Sequence, residues 1–265
     1  MSKCVGIIGV GNMGQALLAG LIQANHPASQ ICITDKREDH AAQLATQYGV
    51  TLQSLSGIAA ECEVILVVVK PTDLTATLEA MKATLGPRAS IVSFVAGKTI
   101  AGIEAIVGGE HAVIRVMPNT PTLIGKGMAA ISPGTFANAE DLEFVRHFLG
   151  ASGKVVEVEE RLQDAVTATS GSGPAYFFAF VEAMIEGATT LGLSTDVATE
   201  LTVQTIIGAA GMLEQSGKDA KTLRENVTSP HGTTAAALAS LQASGLPTIV
   251  ADAMAAAAKR STELA

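Results

Sequence analysis

Three cysteines, with no CxxC pair and no histidine at metal-ligand spacing, give neither a zinc-site nor a disulfide signature. Cys4 and Cys32 fall in apolar runs and Cys62 lies beside another, so the expectation is reduced, mostly buried thiols and no metal. Cations are sparse as well: 17 Lys and Arg stand against 25 Asp and Glu, a formal net charge of -8. Nucleic-acid binding is driven by clustered Lys and Arg, and no basic patch interleaved with aromatics occurs, so a nucleic-acid partner is not expected. No uninterrupted apolar run approaches the ~20 residues that span a bilayer, and no cleavable signal precedes the first apolar stretch. A cytoplasmic protein without a membrane partner is the expectation.

What is present begins with Val5-Gly-Ile-Ile-Gly-Val-Gly-Asn-Met-Gly14. An apolar run followed by glycines at 9, 11 and 14 fits a strand, a tight turn and a helix start. Gly9 allows the turn, Gly11 lets a pyrophosphate approach the backbone, and Gly14 lets the helix pack close to the strand. Amides at that helix start, around Asn12 and Met13, would hold phosphates. In so acidic a protein, an anionic dinucleotide needs such local dipoles.

Residues 1–160 alternate short apolar runs with helical stretches, the pattern of a mostly parallel sheet covered on both faces, a Rossmann-type α/β domain. Strands are expected at Cys4–Gly9, Ile31–Thr34, Val64–Val69, Ser90–Val95, Val113–Met117, Met128–Ile131 and Lys154–Val158. Val64–Val69 shows no alternation, so both its faces should be buried. Ligands of such sheets sit beyond the carboxyl ends of the strands. Asp35 at the second end would accept from ribose hydroxyls, as in NAD, whereas Lys36 and Arg37 could receive the 2'-phosphate of NADP. The third end is Val69-Lys70-Pro71, and the fourth carries Ala96-Gly97, small enough to lie against a cofactor ring. The fifth, Met117-Pro-Asn-Thr-Pro121, would present Asn119 and Thr120.

Residues 161–265 read as helix throughout, forming an all-helical second domain. Leu162–Leu191 would be one long helix, interrupted or bent at Ser170-Gly-Ser-Gly-Pro174. Tyr176-Phe-Phe-Ala-Phe180 holds four of the nine Phe and Tyr residues, too many for one core-facing stripe. A subunit or interdomain contact explains them better, and so thin a helical core predicts an intertwined homodimer or a larger ring. Further on, Thr228, Ser229, Thr233 and Thr234 supply hydroxyls around Pro230 and Gly232, just before another helix. A helix start with free amides and hydroxyls suits a carboxylate, although ordinary capping explains the same residues.

Taken together, the glycine loop, Val69-Lys-Pro71, Met117-Pro-Asn-Thr-Pro121, Ser170-Gly-Ser-Gly-Pro-Ala-Tyr176 and Glu225-Asn-Val-Thr-Ser-Pro-His-Gly-Thr-Thr234 resemble the pyrroline-5-carboxylate reductases almost end to end. That resemblance implies a Rossmann-type first domain, a helical domain that interlocks dimers, and reduction of a cyclic imino acid to proline with a nicotinamide cofactor, NADPH in preference to NADH. It implies that Gly11, Asn12, Met13, Val69, Lys70, Pro71, Ala96, Gly97 and Asn226 line the cofactor. Ser229, Gly232, Thr233 and Thr234 would grip the substrate carboxylate. His231 departs from the family pattern, which has glycine there.

The chemistry of the residues agrees. Reducing a ketone needs a positioned acid, usually His or Lys, to protonate the alkoxide. A protonated imine is already electrophilic, so hydroxyls and amides suffice, and Thr234 is the expected donor near the imine nitrogen. The rival β-hydroxyacid dehydrogenases carry a GxGxxxKxxxN helix whose lysine is the acid. Counted from Gly171 and Gly173, Phe177 and Val181 occupy those positions. Another imine reductase or a non-catalytic dinucleotide sensor are the remaining alternatives, and a sensor would not need the hydroxyl loop.

Overall fold

The computed structural model describes residues 3–264. The chain forms two compact units: one runs up to Ser172 and regains the segment from Ala257 onward, and the other is Gly173–Ala256. The first unit thus reaches beyond residue 160, where the sequence turns wholly helical. The buried Gln163 explains part of the extension, because its side-chain amide donates to the Ala130 carbonyl and to Ser132 Oγ of the sheet.

In the first unit, β1 (Val5–Ile8), β2 (Ile31–Thr34), β3 (Thr51–Leu52), β4 (Val64–Val67), β5 (Ser90–Ser93), β6 (Val113–Met117), β7 (Gly127–Pro133) and β8 (Gly153–Glu157) form one sheet. Its order is β3-β2-β1-β4-β5-β6-β7-β8. All neighbours are parallel except β6 and β7. The register Thr34, Ile8, Val67, Ser93 and Arg115 runs across five strands, which brings the carboxyl ends of β1, β2, β4, β5 and β6 to one rim. Connections to β3 and β4 include one short helix that no periodic pattern announced.

Helices α1 (Asn12–Gln23), α2 (Glu38–Tyr48), α3 (Leu55–Glu61), α4 (Leu74–Lys82), α5 (Ile100–Val107) and α6 (Ala139–Gly150) follow the strands. Leu17, Leu18 and Leu21 of α1, Leu44 of α2 and Phe148 of α6 pack with Val5, Ile7, Ile31 and Leu66 on one face. Ile58 of α3, Leu78 and Met81 of α4 and Ile103 of α5 pack with Ile8, Ile65, Val67 and Ile91 on the other. Both faces are therefore covered, and β4 is buried from end to end, as its unbroken apolar run requires.

After β8 a 3-10 turn, Glu160–Leu162, leads into α7 (Gln163–Val166) and then a π-helical turn, Thr167–Gly171. Ser172 N donates to the Thr167 carbonyl at 2.8 Å, five residues back, and the hydroxyls of Thr167, Thr169 and Ser170 each donate to a carbonyl four residues back. The expected interruption is thus a widened turn, a cause of bending.

The second unit starts with α8 (Gly173–Thr190) and continues through α9 (Thr195–Gln215), α10 (Ala220–Asn226), α11 (Thr233–Ala243) and α12 (Leu246–Glu263), whose last turns belong to the first unit. Few of its side chains are buried, and Phe177, Phe178, Phe180, Leu201, Ile207 and Ile249 stand exposed on the single chain. No single helix among the described residues is long and apolar enough to cross a membrane; a pair bent by 51°, Thr233–Ala243 with Leu246–Glu263, passes on length and composition alone.

Candidate active site

The rim of the first unit is built around Gly9, whose φ of 94° reverses the chain after β1 while its amide donates to the Thr34 carbonyl at 2.8 Å. A Cβ there would meet the Val68 carbonyl oxygen at 2.6 Å, so only glycine fits between β1 and the end of β4. Gly14 faces the same carbonyl corner: a methyl group on it would collide with the Gly9 oxygen. Above Gly11 the space is open, the nearest group being Arg37 Nη2, 3.8 Å from where a Cβ would stand. Helix α1 starts with no side-chain cap and no acid in its first turn. Open space, uncapped amides and a guanidinium together fit the diphosphate of a dinucleotide.

Asp35 is engaged within the loop itself. Its Oδ2 accepts from Val10 N at 2.8 Å, and its Oδ1 accepts from Arg37 N at 2.9 Å and Arg37 Nε at 3.3 Å. Burial works against the carboxylate, but these bonds and the Arg37 charge outweigh it and hold Asp35 below its ordinary carboxylate pKa. The residue ties the glycine loop to the β2 turn. Lys36 reaches across to Asp73 at 2.8 Å, just beyond Pro71, and is itself largely exposed. Val69 and Pro71 are half-buried at the rim, with Lys70 exposed between them.

Ala96 is half-buried, but Gly97 is buried against the chain's own later residues: a Cβ on it would stand 2.7 Å from Leu264 Cβ and 2.9 Å from the Ser261 carbonyl. Asn119 also turns inward, contrary to its expected presentation at the rim. Its Oδ1 accepts from Met128 N at 2.8 Å and its Nδ2 donates to the Ser170 carbonyl at 3.1 Å, so it joins the end of β6 to β7 and the π turn. Thr120 remains exposed.

Within the second unit, the loop between α10 and α11 has the features expected of a carboxylate site. Gly232 is the residue before α11 in extended conformation, with no side-chain cap and no acid in the first helical turn. Thr233 is exposed and Thr234 half-buried at that uncapped start. Ser229 closes the turn by accepting from Gly232 N at 3.0 Å through its carbonyl, and Thr228 spends its hydroxyl on the Arg224 carbonyl at 2.6 Å. Asn226, the last residue of α10, is exposed. His231 sits at φ 61°, the left-handed region that glycine occupies without strain.

Two clusters escaped sequence reading. Arg115, nearly buried in β6, pairs with Glu160 at 3.3 Å and Asp164 at 3.7 Å, and Asp164 in turn accepts from Ser261 Oγ at 2.7 Å and Thr262 Oγ1 at 3.0 Å. An arginine inside the apolar run Val113–Met117 was the available signal. The other cluster is the three cysteines, 58 residues apart from first to last in sequence but gathered in space.

A glycine-loop Rossmann unit followed by an uncapped, hydroxyl-lined helix start defines the class: a dinucleotide-dependent oxidoreductase. Comparison with known proteins narrows it. Residues 160–264 match the family model described as pyrroline-5-carboxylate reductase dimerisation, and residues 4–97 match that described as NADP oxidoreductase coenzyme F420-dependent. The chain is 40% identical over 264 residues to the pyrroline-5-carboxylate reductase of Corynebacterium melassecola, with 98% of each chain covered. A solved pyrroline-5-carboxylate reductase from Coxiella burnetii superposes with a TM-score of 0.93 at 31% identity, covering 100% of this chain and 99% of that one. The pyrroline carboxylate reductase from Plasmodium falciparum, solved with NADP bound, gives 0.87 at 30% identity, covering 99% and 98%. The chain belongs to the pyrroline-5-carboxylate reductase family.

Proposed function

We propose that the protein reduces 1-pyrroline-5-carboxylate to L-proline with NADPH, the last step of proline biosynthesis. Its membership of the family, over nearly the whole chain, carries this reading. The uncapped start of α11 supports the substrate half, because amides and hydroxyls there suit a carboxylate. Ser229, Gly232 and Thr233 hold that carboxylate, and Thr234 orients the ring, its hydroxyl oxygen accepting from the iminium N–H before hydride transfer and its O–H donating to the nitrogen lone pair that forms with it. The protonated imine carbon accepts a hydride and its C=N bond becomes C–N, the electron pair settling on nitrogen, so no separate protein acid is required. Gly11, Asn12, Met13, Val69, Lys70, Pro71, Ala96 and Gly97 of the first unit would hold NADPH, the group that would supply that hydride.

The preference for NADPH over NADH rests on Asp35. Both its oxygens already accept from backbone amides, while Arg37 stands above Gly11 with its guanidinium toward open space. An Arg plane suits a ribose phosphate. Oxidation of NADPH by 1-pyrroline-5-carboxylate, followed alongside reduction of NADP+ by a small 3-hydroxyacid as control, tests the reaction: turnover with the hydroxyacid alone would sink it. Comparing kcat/KM for NADPH and NADH tests the cofactor, and equal values overturn the preference.

The second unit acts as a homodimerisation module, capable of assembly into larger rings. The exposed Phe177, Phe178 and Phe180 on α8 support this, since such apolar area on one chain calls for a partner. Residues 161–265 then form the dimerisation and substrate domain and residues 1–160 the dinucleotide domain. The free thiols accord with a reducing cytoplasm.

A further inference from the structure

Cys4 lies just before β1, Cys32 is the second residue of β2, and Cys62 lies two residues before β4. Cys32 is paired in the sheet with Gly6, and a Cβ on Gly6 would stand 3.1 Å from Cys62 Sγ. The missing side chain therefore makes room for sulfur on that face of the sheet. Cys4 and Cys62 have their Sγ atoms 3.3 Å apart, and all three sulfurs lie within 4.8 Å of one another. Cys32 and Cys62 are buried and Cys4 is half-exposed, so the cluster has one open side.

Thiolates around a zinc ion sit about 2.3 Å from it, which sets sulfurs roughly 3.8 Å apart. The Cys4–Cys62 separation of 3.3 Å and the 4.8 Å limit on the other two are within about 1 Å of that value, so small side-chain rotations suffice. An all-sulfur donor set selects soft ions over oxygen-loving ones. We propose that Cys4, Cys32 and Cys62 form a three-thiolate site for a soft d10 metal ion, Zn2+ or Cu+, near the amino-terminal ends of β1, β2 and β4. This is the end of the strands opposite the glycine loop, so the site is separate from the reductase chemistry. On binding, each thiol gives its proton to water and each sulfur a lone pair to the ion, and no electron transfer is involved. Because each bound thiol gives up its proton, uptake is pH-dependent. With Zn2+, a water on the Cys4 side completes a tetrahedron. The ion would clamp β1, β2 and the α3–β4 connection together.

The test uses the full-length protein, reduced and desalted, then exposed separately to Zn2+, Cd2+ as a spectroscopic stand-in, and Cu+. One ion retained per chain, a sulfur-to-cadmium charge-transfer absorption, three thiols shielded from a thiol reagent until chelator is added, and a raised melting temperature are expected. Competition between Zn2+ and Cu+ then identifies the preferred ion. Cys4→Ser, at the half-exposed position, should lose retention while its metal-free melting temperature and NADPH oxidation match the parent. Cys62→Ser should lose retention too. Absence of retained metal in the parent overturns the site, as does undiminished retention in Cys4→Ser, or loss of two thiols to a Cys4–Cys62 disulfide with no metal uptake.

Discussion

Thr234 is the single side chain on which the proposed chemistry depends most. It stands in the first turn of α11 beside amides that no side chain caps. If it orients the imine, its hydroxyl stabilises the transition state more than the bound cofactor. Thr234→Ala is then expected to lower kcat/KM for the imine by ~10-fold or more, about 1.4 kcal/mol, with cofactor affinity nearly unchanged. Steady-state kinetics with direct NADPH titration checks this, and unaltered imine turnover removes Thr234 from the mechanism. The hydroxyl loop was legible from residue types alone, because Thr, Ser, Gly and Pro at a helix start carry their own geometry. Which hydroxyls are spent internally was not: Thr228 donates to a carbonyl one turn back, a choice set by local backbone shape. Asn119 was misread for a similar reason, since its partners Met128 and Ser170 come from segments no motif connects to it.

Among the elements, the β1 turn and the β2 turn form one unit through Asp35. Replacing it by asparagine removes the charge and one acceptor, so Val10 or Arg37 loses a partner. Asp35→Asn is expected to cost about 1–3 kcal/mol at neutral pH. A carboxylate held below its ordinary pKa contributes stability that is fully present above the unfolded-state value of about 4 and is lost as pH falls through the lower folded value. The stability gap between parent and Asp35→Asn should therefore close on acidification below about pH 4. Denaturant midpoints measured from pH 7 to pH 3 decide it, and a constant gap refutes the role. Element reading from sequence succeeded where apolar runs were strong: β2 spans Ile31–Thr34 and β6 Val113–Met117 as expected. It missed β3, two exposed residues with no alternation to detect, and α3, seven residues that bury only Ile58 and Ala59. Elements this short owe their existence to what packs around them.

At the scale of the whole molecule, the chain returns to its first unit after building a second. Asp164 is where it is fastened, because it meets Arg115, Ser261 and Thr262 at once. Asp164→Ala should destabilise by about 1–3 kcal/mol, through a buried guanidinium left with fewer acceptors. Combined with Ser261→Ala, the effects should fall short of additive, since the two side chains share one bond. Additive losses in chemical denaturation would show that the fastening is not a network. The proposed dimer has its own check: light scattering that finds only monomer at micromolar concentration would rule it out. Neither the return nor the gathering of three cysteines could be read from spacing, since both depend on which strands lie side by side.

The return also bears on the order in which the protein acquires its structure. Ser261 and Asp164 are 97 positions apart, and joining them while everything between is unfolded costs roughly 4 kcal/mol of chain entropy. Once Gly173–Ala256 has condensed, the span that must close is far shorter. The helical insert is therefore expected to act kinetically on the dinucleotide unit: a variant whose helices fold slowly should complete its Rossmann unit late, even though none of its sheet residues has changed.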